Sequence, residues 1–91
     1  MLAGCGGSGA PKLAHADAAP LIVLAHRIAN EDGPDRGRDI PRLRQRVIVL
    51  INSGRVPAKL QEPLTSAANA LVVAPSPWAR VLEEWLKKNS S

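Results

Sequence analysis

An all-α fold, a compact bundle or orthogonal array of four short amphipathic helices behind a flexible N-terminal lead, is predicted by three features of the sequence. Apolar residues recur at three- and four-residue spacing in four separate stretches, the period that gives a helix one buried face. Prolines and glycines stand at the ends of these stretches, where they start and stop helices. No stretch alternates apolar and polar as a half-buried strand would, and the connections are short enough to pack neighbouring helices around one core. Leu, Ile and Val supply 23 of the 91 residues, with Trp78 and Trp85 the two aromatics. That is above the level of roughly 20% at which chains tend to stay disordered, and the length suits one small domain.

Residues 1–16 combine Gly, Ala, Ser and Pro without sustained periodicity, and read as a lead; the helical domain then occupies 17–91. A first helix is expected from 18 to 31, with Asp17 as N-cap, Pro20 tolerated early, and Gly33-Pro34 ending it. Leu21, Leu24, Ala25 and Ile28 form its apolar stripe, widened by Ile22 and Ala29, while His26, Arg27 and Asn30 turn outward. Residues 32–38 read as a loop of alternating charge with two glycines and a proline. A second helix follows from 40 to 53, with Asp39 as N-cap, Pro41 in the first turn and Gly54 as the stop. Its stripe is Ile40, Leu43, Val47, Leu50 and Ile51.

The third helix is expected from 57 or 58 to 73, with Pro63 either inside it or starting it after a short turn. Leu60, Leu64, Ala67, Ala68 and Leu71 form its buried face. In the fourth, Ser76 caps, Pro77 takes the first position, and Trp78, Val81, Leu82, Trp85 and Leu86 make one apolar face on which both tryptophans anchor the core. Glu83 with Lys87 and Glu84 with Lys88 are i,i+4 pairs in the favoured order. Val23, Val49 and Val73 lie off these stripes, which means either broad burial or an exposed contact site.

Charge is concentrated in the middle of the chain. The formal net charge is +4, yet residues 36–59 hold seven basic residues against Asp39 alone. Arg38, Arg42, Arg44 and Arg46 are therefore candidates for contact with an anionic surface. Arg42 and Arg46 share the outward helix face with Gln45, and Arg44 flanks the buried stripe, where its stem lies over apolar neighbours. The competing reading is an ordinary solvated helix face.

Leu2-Ala3-Gly4-Cys5 matches the bacterial lipobox, and Gly6-Gly7-Ser8-Gly9 follows as a tether. The enzymes that attach lipid and cut before the cysteine need small, unfolded flanking residues, which these glycines and alanines are. Cys5 would then be the site of lipid attachment, and a Gly-rich coil from 6 to 16 would hold the body about 18 Å from it. A full signal carries a basic and then an apolar stretch before the cleavage site, so this reading requires both ahead of Met1. Its alternative is a coincidental match in an Ala/Gly-rich terminus with an inert thiol. One cysteine forms no internal disulfide, and no apolar run is long enough to span a bilayer.

Catalytic and metal constellations are missing. His15 and His26 are the two histidines, without HExxH or CxxC spacing, so a zinc site lacks ligands. Gly4 to Gly9 has a Walker-like spacing, but Ala10 stands where lysine is needed. Asn30, Asp32 and Asp35 suggest a calcium loop without its glycine and terminal glutamate. Cys5 has glycine neighbours and no base. No cofactor is implied, and an enzyme is the least favoured class.

The stretch 39–71, with its N-x-GRVP-x-x-LQEPL pattern followed by NAL, resembles the helical body of small lipoproteins of unassigned function from high-GC, actinobacteria-like genomes, where a similar pattern follows a lipobox. Those proteins often carry cysteines in the region corresponding to 31–39, and this chain has none there. The resemblance implies an envelope location and supplies no catalytic residues. The expected function is thus a lipid-anchored extracytoplasmic interaction component, whose partners are the membrane through Cys5 and anionic headgroups or an envelope protein. The alternative is a soluble basic module binding nucleic acid through Arg38, Arg42, Arg44 and Arg46, without a helix-turn-helix signature or stacking aromatics to support it.

Overall fold

A computed structural model of the chain describes residues 11–31 and 34–90. It is an all-α bundle of four helices, α1 (His15–Asn30), α2 (Pro34–Asn52), α3 (Ala58–Val73) and α4 (Pro75–Lys88). α1 packs against α4 and α2, and α3 against α4 and α2, so the helices form a ring around one aliphatic core. Leu21 and Ile28 of α1, Leu43 of α2, Leu64 and Leu71 of α3, and Leu82 and Leu86 of α4 are all fully buried in it. These lie on the stripes that the 3.6-residue period marks out. The lipobox, most of the tether, Asp32 and Gly33 lie outside the described residues.

The N-terminal side differs from expectation in two places. Leu13 is fully buried rather than part of a loose lead, and its N–H donates to the Asn89 carbonyl at 2.7 Å, alongside a parallel bridge to Ser90. Helix α1 starts at His15 with Ala14 as N-cap. Asp17 therefore sits in the first turn, and it takes Arg55 Nε at 2.9 and 3.1 Å instead of capping. Its charge still favours the helix N-terminus; the cap position is simply three residues earlier.

The larger difference is at α2. Residues 34–38, expected as loop, are helical. Pro34 fits a first turn because its missing N–H would have no helical partner there, and Asp35 adds favourable charge. Asp39 is not an N-cap but an interior residue, 1% exposed. Arg36 Nε donates to the Ile28 carbonyl at 3.1 Å, satisfying one of the orphan acceptors at the end of α1. Two tertiary contacts, Arg36 to α1 and Asp39 to Arg27, thus outweigh the local preference of Gly37 and the prolines for a loop.

Gly54 is the one residue described with positive φ, at 73°. Its N–H bonds to the Ile51 carbonyl and that of Arg55 to the Leu50 carbonyl, both at 3.0 Å, which is the Schellman pattern that closes a helix on a left-handed residue. A Cβ at Gly54 would meet nothing within 4 Å, so substitution costs only backbone conformation. Gly54→Ala should destabilise by about 1–2 kcal/mol, read from urea midpoints; an unchanged midpoint would contradict the assignment.

Helix α4 buries Leu82 and Leu86 as expected, on a face rotated from the predicted one. Ala79, Leu82 and Leu86 are its buried residues, whereas Val81 is exposed, Trp78 is 41% exposed, and Trp85 packs at the core's margin. The tryptophans do not both anchor the core. Small residues explain the rotation: Ala79 of α4 and Ala18, Ala25 and Ala29 of α1 are all buried, which lets these helices approach closely and leaves bulky rings at the edge. Ser76 does not cap either; Ala74 is the N-cap, and the Ser76 hydroxyl donates to the Ala29 carbonyl at 3.3 Å.

Candidate functional site

An open groove of about 930 Å³ lies between α1 and α2. From α1 it is lined by Pro20, Val23, Leu24 and Arg27, with Pro20 and Arg27 each three or four residues from the adjacent Val23 and Leu24 and therefore on the same face. From α2 it is lined by Pro41, Arg42, Gln45, Arg46 and Val49. These positions are fixed by what the two helices bury on the other side. With Leu21, Ala25 and Ile28 in the core, Val23 and Arg27 must lie off it; with Leu43, Val47 and Leu50 in the core, so must Arg42, Gln45 and Val49.

The groove brings together residues that the sequence had marked for separate reasons. Val23 and Val49, off the main stripes, are 55% and 50% exposed and line it from opposite helices. Arg42 and Arg46 stand beside Val49 and make no ion pair with any described residue. Leu24 is half-buried and joins the groove to the core. No carboxylate is among the lining residues, so the site is apolar in its walls and cationic at its rim. Val73 is exposed as well, on α3 and outside the groove.

The four-arginine patch is divided by the structure. Arg44 points away from the groove and donates to Asn69 Oδ1 of α3 at 3.2 Å. Arg38 is exposed one helical turn before Arg42 but does not line the groove. Arg27 takes their place. Its position off the apolar stripe of α1 places it outward, and its connection to the second helix depends on how α1 is rotated against α2.

Arg27 is also the link between the groove and an acid pair, buried Asp39 and half-buried Glu31. Its Nε lies 3.3 Å from Asp39 Oδ2 and 3.6 Å from Glu31 Oε2. Glu31 Oε1 and Asp39 Oδ2 are buried and have no hydrogen-bond donor among the described residues. Protonation of Glu31 would supply the missing donor. The Glu31 carboxyl is accordingly held above its ordinary 4.5, first by its hydrogen bond to Asp39, then by burial and by the Asp39 charge, against the opposing pull of Arg27. A group that binds its proton more tightly folded than unfolded stabilises the fold fully below the unfolded value, and loses that contribution as pH rises through the folded one. Glu31→Gln keeps a donor at every pH. It should melt higher than the wild type at pH 7 and converge with it near pH 4, by circular dichroism; a lower melting temperature at pH 7 would contradict the shared proton.

Elsewhere the exposed His26 contacts Glu83 of α4 at 3.1 Å, and Lys87 reaches the same carboxylate at 3.2 Å. His15 opens α1 and is exposed. Among the described residues no group of three or more metal-ligating side chains occurs, and no helix is long and apolar enough to cross a membrane. Neither family models nor characterised proteins nor solved structures match the chain.

Proposed function

We propose that this chain is a small lipid-anchored, extracytoplasmic helical protein that acts without catalysis as an envelope interaction component, with Cys5 carrying the lipid and the α1–α2 groove meeting anionic headgroups. The observation that carries the reading is the placement of Arg42 and Arg46, unpaired among the described residues, beside exposed Val23 and Val49 in one groove. Near an anionic leaflet each basic residue contributes about 1 kcal/mol, fading within a Debye length, and exposed apolar residues between the cations suit the boundary where headgroups meet acyl chains. Leu13 is docked on the fold, so seven residues separate it from Cys5, a reach of at most about 29 Å. The lipobox and the resemblance to small lipoproteins support the same compartment. Nucleic-acid binding is disfavoured because Arg44 is engaged with Asn69 and a phosphate backbone makes no use of apolar walls.

Two experiments test the proposal. Expressed behind a lipoprotein signal, the chain should incorporate labelled fatty acid and sediment with membranes, and Cys5→Ser should lose the label; a wild type that takes up no label would sink the anchor. The unlipidated chain should bind vesicles containing anionic lipid with an affinity that falls as salt rises. Changing Arg42 and Arg46 together to Gln should weaken that binding and flatten its salt dependence, with a melting temperature shift within about 0.5 kcal/mol of stability. Salt-independent binding would remove the arginines from the account.

A further inference from the structure

The geometry points to the α1–α2 groove as a binding site for one single-chain anionic lipid, whose carboxylate or phosphate is held by Arg42 and Arg46 and whose acyl chain lies between Val23, Leu24 and Val49. The inference rests on the proposed contact with anionic headgroups, and narrows it from a surface to a single molecule. Three observations support it. The site is a groove between two helices, with room for a single molecule. Its walls are apolar while its rim carries three guanidiniums and no carboxylate, so a ligand must offer negative charge and hydrocarbon together. Arg42 and Arg46, one turn apart, are unpaired among the described residues, so their donors are available for bidentate contacts to an oxyanion.

Size is consistent with this occupant. From Pro41 to Val49 the groove runs about 12 Å along α2, comparable to a medium-length acyl chain, and its volume of about 930 Å³ falls in the range of small-molecule sites of roughly 300–1,000 Å³. Arg27 differs from the other two, because Asp39 and Glu31 already share its charge. It closes the groove at the end nearest the α1–α2 connection, while headgroup recognition falls to α2.

The test is calorimetric titration of the full unlipidated chain with dodecyl phosphate below the concentration at which it forms micelles. One molecule should bind per chain, with dodecylphosphocholine and butyl phosphate each at least tenfold weaker, because one lacks net negative charge and the other lacks the chain. Arg42→Gln with Arg46→Gln, and separately Val49→Asp, should each weaken binding tenfold or more at unchanged melting temperature. Neither Trp78 nor Trp85 lines the groove, so tryptophan emission should stay constant through the titration. Equal affinity for the zwitterionic lipid, indifference to the groove variants, or an emission shift would overturn the single-lipid site. Binding to anionic vesicles but not to monomeric dodecyl phosphate would overturn it too, while leaving the broader headgroup reading standing.

Discussion

Leu82→Ala is expected to cost about 2–5 kcal/mol, the range for removing a fully buried leucine, and to lower the melting temperature by roughly 10 °C or more in a domain of this size. Leu82 is fully buried on the face that α4 turns to its neighbours, so the lost side chain leaves a cavity in the ring of helices. Trp78→Ala, although it removes a far larger side chain, should shift the melt by less than half as much, because Trp78 is 41% exposed. The comparison by circular dichroism tests which face of α4 is buried. A larger effect from Trp78 than from Leu82 would mean that the helix is rotated from the position described.

Leu13→Ala is the second large effect. Leu13 precedes α1 in a stretch rich in small residues, yet it is fully buried and its N–H is bonded to Asn89. Its truncation should cost about 2–4 kcal/mol and free the residues after α4 along with those before α1. Amide exchange of Leu13 should be protected in the wild type and accelerate in the variant. An unchanged melting curve and a fast-exchanging Leu13 amide would show that this segment is not part of the bundle.

These two residues mark the limit of what the sequence discloses. Helix stripes such as Leu43, Val47 and Leu50 were readable because a regular period identifies a buried face before any partner is known. Leu13 belongs to no period; it is a single apolar residue whose burial is decided by where the end of α4 lies. Asp39 was misread for a related reason. An aspartate before an apolar periodic stretch looks the same whether it caps a helix or lies inside one against an arginine from another helix. On α4 the hydrophobicity of Trp78 and Val81 outweighed Ala79 in the pattern, although the smaller residue is what permits close packing.

The candidate site was half legible. Arg42 and Arg46 could be grouped because they share a helix, and Val23 and Val49 stood out as apolar residues off their stripes. What joins them is the rotation of α1 against α2, a tertiary quantity, and the same rotation brings in Arg27 and sends Arg44 to Asn69. Gln45, which shares the outward face of Arg42 and Arg46, lines the groove with them, and so do the prolines at 20 and 41, for which the sequence holds no such signal.

The central claim, that the α1–α2 groove is the working face of this protein, is tested most directly by amide chemical-shift mapping with bicelles of anionic and of zwitterionic lipid. Shifts specific to the anionic lipid should cluster at Val23, Leu24, Gln45 and Val49 and leave Val73, Trp78 and Val81 unmoved. Shifts centred on the exposed residues of α3 and α4, or the same response to both lipids, would contradict it.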